Sequence, residues 1–122
     1  MKILLIDDDP LSLSGLKLSL EEQGGHKCSA YENPSEALDA YKHEQFDLVI
    51  TDVRMPEITG MEVLKKIRSI NSEAVVIMIT GQRYVEAALE SITFGAHAIM
   101  SKPLHSDKLL DMIRRVENQI RK

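Results

Sequence analysis

Polar side chains with the capacity for chemistry follow four short apolar runs of this sequence. The runs before Asp7, Asp52 and Thr80 are typical of strands that are buried on both faces, and the run before Lys102 is also expected to be a strand. In open α/β sheets, ligands bind just outside the carboxyl ends of the strands, so we expect these side chains to lie where such folds do chemistry. The runs and the residues that end them are Ile3–Ile6 with Asp7 and Asp8, Leu48–Thr51 with Asp52, Ala74–Ile79 with Thr80, and Ala96–Ser101 with Lys102.

The residue types at these positions predict a metal site that can also receive a phosphoryl group. Three carboxylates, from Asp7, Asp8 and Asp52, would repel one another strongly, and one lysine cannot balance them. Oxygen ligands in a partly open site favour Mg²⁺ over Zn²⁺. The metal and Lys102 would offset the charge of a phosphoryl group, and Thr80 would donate a hydrogen bond to it. One carboxylate could then act as the nucleophile and form an aspartyl phosphate.

Each of these residues also has an ordinary structural explanation. Asp9 is expected to cap a helix, and Asp7 or Asp8 alone would more often be a cap or turn residue. Thr80 alone is most often a strand-end hydroxyl bonded to backbone, and a lone lysine such as Lys102 is usually solvated. Because four such coincidences at strand ends are improbable, a shared site is the better interpretation.

Strand and helix patterns alternate five times, which predicts right-handed βαβ units and a parallel sheet with helices on both faces. A closed eight-stranded barrel needs about twice this length. We therefore expect one α/β domain over residues 1–122, with a doubly wound, flavodoxin-like sheet in the order 2-1-3-4-5. The expected helices run from Pro10 to Gly24, from Asn33, from Thr59 with Val63, Ile67 and Ile70 inward, from Arg83 to Phe94 with Val85, Leu89 and Ile92 inward, and from Ser106 with a stripe of Leu109, Ile113, Val116 and Ile120.

Composition restricts the environment and the partners of the chain. The formal net charge of -4 argues against direct binding of nucleic acid, which needs a basic face. The single cysteine, Cys28, cannot form an internal disulfide, so a reducing cytoplasm fits best. No apolar run approaches the roughly 20 residues of a membrane span. Because Met1-Lys2-Ile3 leads directly into the first strand, we expect no signal peptide.

The four motifs together resemble the receiver domain of two-component response regulators, and the resemblance covers the whole chain. They are Asp7-Asp8, Asp52-Val53-Arg54-Met55-Pro56, Thr80-Gly81 and Lys102-Pro103. The resemblance implies that Asp52 accepts a phosphoryl group from a sensor histidine kinase or a phosphotransfer protein. It also implies that Asp8 and Asp52 bind Mg²⁺ directly, Asp7 through water, and Arg54 through its backbone carbonyl.

The same resemblance assigns switching and tuning roles. Thr80 would move to contact the phosphoryl group, Lys102 would pair with it, and the peptide bond before Pro103 would be cis. The family often has Tyr or Phe three residues before the lysine, where this chain has Ile99. Arg54 and Gln82 occupy the two positions that influence how fast water removes the phosphoryl group.

Output is expected at the face made by helix 4, strand 5 and helix 5. The partner there would be an output domain, another protein or a second copy of the chain. The 4-3-4 spacing along helix 5 suits a coiled coil, although covering the sheet is the simpler explanation for that stripe. Beyond its own phosphorylation and dephosphorylation, the domain is not expected to be an enzyme.

Two other functions are compatible with parts of the pattern. One is a phosphatase of the haloacid dehalogenase type, since Asp7-Asp8-Asp9 superficially matches the Asp-x-Asp of that family. Against it, Leu11 stands where Thr or Val would follow, the later acidic pair has no convincing counterpart, and no cap domain fits. The other is a receiver that acts as a fixed interaction module without phosphorylation. Labelling by acetyl phosphate would mark Asp52 in a receiver and Asp7 in the phosphatase.

Overall fold

Strands and helices alternate along the chain in a computed structural model that describes residues 1–53, 58–81 and 90–120. The strands are β1 (Lys2–Ile6), β2 (Lys27–Tyr31), β3 (Leu48–Asp52), β4 (Val76–Thr80) and β5 (Ala98–Ser101). The helices are α1 (Pro10–Gly24), α2 (Pro34–His43), α3 (Gly60–Ile70), α4, whose described residues are 90–93, and α5 (Ser106–Ile120). None of the helices in these ranges combines the length and the apolar character that crossing a membrane requires.

The five strands form one parallel sheet in the order β2-β1-β3-β4-β5. This confirms the predicted doubly wound, flavodoxin-like arrangement in the order 2-1-3-4-5. The register aligns Ile6 with Thr51, Asp52 with Ile79, and Thr80 with Ser101. The carboxyl ends of β1, β3, β4 and β5 therefore lie along one edge of the sheet.

Alternate residues of the strands build a separate hydrophobic core on each face of the sheet. Leu4 of β1 packs with α2 and α3, whereas its neighbour Leu5 packs with α1 and α5. Because both faces of β1, β3 and β4 are covered, these strands read as continuous apolar runs and not as alternating ones. The edge strands β2 and β5 are only partly buried. The buried thiol of Cys28 belongs to the second core, and burial raises its pKa to about 11. It is thus a small buried thiol that fills the core.

The helix caps form as the sequence predicts. Asp9, Asn33 and Thr59 are the N-caps of α1, α2 and α3, and each side chain accepts a hydrogen bond from a backbone N–H of the first turn. Gly25 follows α1 and Gly95 follows α4 with φ of 67° and 99°, a region that a side chain disfavours. Local chemistry therefore sets where these helices begin and end.

Three apolar residues that were expected to face the core are largely exposed instead. Ile70, Ile92 and Ile120 keep 41%, 48% and 46% of their accessible surface. Each lies near the end of its helix, where the neighbouring layer no longer covers the helical stripe. The rest of the α5 stripe is buried as predicted. Val85 and Leu89 lie outside the described residues.

Candidate functional site

Three carboxylates meet at the carboxyl edge of the sheet. Asp52 is the last residue of β3, whereas Asp7 and Asp8 follow β1, the strand that pairs with β3. One oxygen from each of the three lies within 4.8 Å of the others. Asp7 and Asp52 are buried, with 7% and 8% of their surface accessible, and Asp8 is exposed. The parallel register thus brings together residues that are some 45 positions apart in the sequence.

Lys102 provides a positive charge beside this cluster. Its Nζ donates a hydrogen bond of 2.7 Å to Asp52 Oδ2 and lies 3.6 Å from Asp7 Oδ2. Burial alone lowers the pKa of Lys102, but the hydrogen bond and the charge of Asp52, together with the charge of Asp7, outweigh it and raise the pKa. The lysine therefore remains an ammonium at neutral pH. The Lys102–Pro103 peptide bond that follows is cis, as the resemblance implies.

Asp7 is held in place by the start of α1. The backbone N–H of Asp9 donates to Asp7 Oδ1 over 3.0 Å, while the Asp9 carboxylate accepts from Leu11 N and from the hydroxyl of Ser12. Burial raises the pKa of Asp7, and the Asp9 N–H and the Lys102 charge oppose that effect only in part. In contrast, the hydrogen bond from Ser12 lowers the pKa of Asp9. Asp9 is a helix cap, as expected, and it also orients a residue of the site.

Thr80 lies at the end of the next strand, with its hydroxyl turned to its own backbone. Its Oγ1 donates to the carbonyl of Gly81 over 2.9 Å, and the side chain is buried. Ile99 of β5 aligns with Met78 and is half-buried against the core under α2 and α3. Arg54 and Gln82, to which the family resemblance assigns tuning roles, lie outside the described residues.

The donor set fits a hard divalent cation. Carboxylate oxygens are the ligands that Mg²⁺ prefers, and three of them at this spacing leave an excess of negative charge beside a single ammonium. The exposed Asp8 shows that the cluster opens to solvent, which matches an ion that keeps several of its waters. Asp7, Asp8 and Asp52 are accordingly the residues that would hold it.

A groove beside the site was not predicted from the sequence. It has a volume of about 440 Å³, runs between α1 and the start of α5, and has Asp7 and Lys102 among its lining residues. Leu11, at its rim, is 84% exposed. The sequence feature that could have indicated this groove is Leu11, an apolar residue directly after Asp9-Pro10. It does not share the helical face of the buried Leu13 and Leu20.

Comparison with known proteins gives one consistent result. Residues 3–114 match the response regulator receiver domain family. The chain is 35% identical over 114 residues to the C4-dicarboxylate transport transcriptional regulatory protein DctD of Pseudomonas aeruginosa, covering 93% of the chain and 24% of DctD. It is 31% identical over 117 residues to the chemotaxis protein CheY of Bacillus subtilis, covering 96% of the chain and 98% of CheY.

Solved structures agree with the sequence relatives. A response regulator receiver domain protein from Clostridium thermocellum has a TM-score of 0.93 and 30% identity, covering 98% of this chain and 96% of that one. Full-length FixJ from B. japonicum has a TM-score of 0.90 and 31% identity, covering 97% of this chain and 58% of that one. The chain therefore spans about a quarter of DctD, over half of FixJ and nearly all of CheY.

Proposed function

Because the chain belongs to the response regulator receiver domain family of two-component systems, we propose that Asp52 accepts a phosphoryl group in a Mg²⁺-dependent reaction. The observation that carries this proposal is the cluster of Asp7, Asp8 and Asp52 beside the 2.7 Å contact from Lys102 Nζ to Asp52 Oδ2. The donor is a sensor histidine kinase or a phosphotransfer protein. The domain has no enzymatic role beyond its own phosphorylation and dephosphorylation.

The transfer itself is a simple exchange at phosphorus. An oxygen of the Asp52 carboxylate forms a new P–O bond while the bond from phosphorus to the donor breaks. That bond is N–P in a phosphohistidine and O–P in acetyl phosphate, and its electron pair stays with the donor. Mg²⁺, when bound, would offset the charge on the phosphoryl oxygens.

The residues of the chain have separate roles in this step. Lys102 stays protonated and moves its hydrogen bond from Asp52 toward the incoming phosphoryl oxygens. Asp8 and Asp52 would hold the cation directly and Asp7 would hold it through water, with the Asp7 carboxylate oriented by the Asp9 N–H. The backbone carbonyl of Arg54 is a further proposed ligand. The groove beside Asp7 and Lys102, with exposed Leu11 at its rim, offers a protein donor a surface to approach.

Phosphorylation would be transmitted to the output face when the Thr80 hydroxyl changes its hydrogen-bond acceptor. Its hydroxyl leaves the Gly81 carbonyl and donates to the phosphoryl group, which adds roughly -1.5 to -2 charge at neutral pH. Ile99 packs next to this strand as the counterpart of the family's aromatic switch, and Arg54 and Gln82 tune the lifetime of the phosphoryl group. The face of α4, β5 and α5 then binds an output domain, another protein or a second copy of the chain. A cytoplasmic location is part of this proposal, since a buried, unpaired Cys28 suits a reducing compartment.

The decisive experiment is labelling with acetyl phosphate and Mg²⁺, followed by mass spectrometry. We expect one added HPO₃ unit on the wild-type chain, and none on Asp52→Asn. Borohydride reduction and peptide mapping then locate the acyl phosphate, since reduction converts that aspartate to homoserine. EDTA serves as the metal-free control.

Each competing function gives a different result. A label that persists in Asp52→Asn and maps to Asp7 would support the haloacid dehalogenase-type phosphatase. A wild-type chain that takes no label with Mg²⁺ would support the phosphate-independent interaction module. A label at Asp52 that does not depend on Mg²⁺ would contradict the proposed role of the carboxylate cluster.

A further inference from the structure

The first turn of α3 rests directly on the peptide that carries Asp52. The backbone N–H of Gly60, the first residue of α3, donates to the carbonyl of Val53 over 2.8 Å. A Cβ atom built on Gly60 would overlap the carbonyl oxygen of Asp52 and would lie 2.8 Å from Val53 Cα. No side chain therefore fits at position 60 while the end of β3 stays where it is.

The same peptide is held from two further directions. Val53 N donates to the carbonyl of Ile79 over 2.8 Å, which ties it to β4. The hydroxyl of Thr51, itself fully buried, donates to the Asp52 carbonyl over 3.2 Å. Since the atoms around Gly60 belong to backbone, a substituent there has no flexible side chain to displace. It must move either the start of α3 or the Asp52–Val53 peptide.

Space, and not unusual backbone conformation, explains the need for glycine here. Gly60 is buried within the helical geometry of α3, whereas Gly25 and Gly95 have the positive φ that side chains disfavour. Glycine is the usual residue where backbone segments approach closely, and the first turn of α3 approaches the Asp52–Val53 peptide in this way.

We propose that Gly60 is a positioning residue for Asp52. By leaving room for α3 to close onto the Asp52–Val53 peptide, it keeps the carboxylate at bonding distance from Lys102 and within the cluster formed with Asp7. The importance of that carboxylate position rests on the proposed function, whereas the contacts between Gly60 and the Asp52–Val53 peptide do not depend on it.

The test compares two identical chemical changes in helices, Gly60→Ala and Gly15→Ala. Gly15 is an exposed residue of α1, and a Cβ there meets nothing within 4 Å. It lines the groove between α1 and α5, but none of the three measurements uses a protein donor, so the groove does not affect them. For Gly60→Ala we expect the Mg²⁺ dissociation constant, measured by calorimetric titration, to rise about tenfold. The rate of labelling by acetyl phosphate at saturating Mg²⁺ should fall roughly 10²-fold. In the metal-free chain, the Val53 amide should exchange with solvent faster. Gly15→Ala should match the wild type in all three measurements.

A third variant separates positioning from loss of stability. Val63→Ala removes two methyl groups from the same helix at a fully buried position of the core. All chains are measured where circular dichroism shows them folded, with sucrose added where needed. Under those conditions Val63→Ala should keep the wild-type Mg²⁺ affinity, and Gly60→Ala should not.

Three results would overturn the inference. The first is a folded Gly60→Ala chain whose Mg²⁺ affinity and labelling rate lie within twofold of the wild type. The second is a Val63→Ala chain with the same losses as Gly60→Ala, and the third is a Gly60→Ala chain that does not fold even in sucrose, because the glycine would then serve stability alone. A wild-type chain that takes no label would contradict the proposed function instead, while Mg²⁺ affinity and Val53 exchange would still decide the role of Gly60.

Discussion

At the scale of single residues, the site combines an excess of negative charge with one closely placed ammonium. Lys102 Nζ contacts both buried carboxylates, Asp52 at 2.7 Å and Asp7 at 3.6 Å. Under the proposed function, the same ammonium would compete with a metal ion for these oxygens in the unphosphorylated chain and would pair with the phosphoryl group after transfer. Removing the Lys102 ammonium should therefore strengthen Mg²⁺ binding and slow the acceptance of a phosphoryl group.

Lys102→Met should bind Mg²⁺ more tightly and accept phosphate more slowly. Loss of a partly exposed charge should tighten Mg²⁺ binding by about 1 kcal/mol, or roughly fivefold. Loss of a group that stabilises developing charge should slow labelling roughly 10²-fold. Calorimetric titration and timed mass spectrometry measure the two effects. Lys108→Met, at an exposed position of α5, is the control, and weaker Mg²⁺ binding by Lys102→Met would contradict this account.

At the scale of elements, short-range contacts at helix starts decide where the chain leaves and rejoins the sheet. Asn33 illustrates this, since its side-chain oxygen accepts from the N–H groups of Ser35 and Glu36 over 2.8 and 3.3 Å. Pro34 follows as the first residue of α2, a position that needs no N–H donor. The helix covers one core and contributes no ligand to the carboxylate cluster.

Asn33→Ala should lower the free energy of unfolding by about 1 kcal/mol, because two N–H groups lose their acceptor. Asn33→Asp should retain most of the stability, since a carboxylate caps equally well. Urea denaturation followed by circular dichroism measures the difference. Mg²⁺ affinity should stay at the wild-type value in both variants, and a change in it would show that α2 influences the site.

At the scale of the whole molecule, two hydrophobic cores lie on either side of a sheet whose carboxyl edge carries an excess of negative charge. The sheet presents apolar residues to helices on both faces, and its carboxyl edge carries Asp7, Asp8 and Asp52. Burial raises the pKa of Asp7, so its ionised form costs folding free energy at pH values above that raised pKa. A cation that binds the folded chain would offset this cost.

Mg²⁺ should therefore raise the melting temperature of the wild-type chain more than NaCl of equal ionic strength, and EDTA should reverse the effect. The rise should diminish as the pH falls through the raised pKa of Asp7, because a protonated carboxyl group no longer binds the ion. Asp7→Asn should be more stable than the wild type without metal and should gain less from Mg²⁺. Thermal scans at several pH values test this, and equal gains in both chains would refute it.

The amino-acid pattern was enough to predict the fold class, the sheet order and the meeting of Asp7, Asp8, Asp52 and Lys102 at one edge of the sheet. Apolar runs, caps and the positions of Asp52, Thr80 and Lys102 at strand ends are local features, and parallel strands necessarily bring those ends to one edge. The apolar runs predict that the third and fourth strands end at Thr51 and Ile79. In the structure each strand is one residue longer, since Asp52 and Thr80 are the last residues of β3 and β4.

How these residues meet depends on the packing of the elements against one another. The Lys102–Asp52 contact, the hydrogen bond from the Thr80 hydroxyl to Gly81 and the fit of Gly60 against the Asp52 carbonyl depend on distances between elements. The exposure of Ile70, Ile92 and Ile120 likewise depends on where a neighbouring layer stops. A periodic pattern specifies which side of a helix is apolar, but packing alone specifies how far along the helix that side is covered.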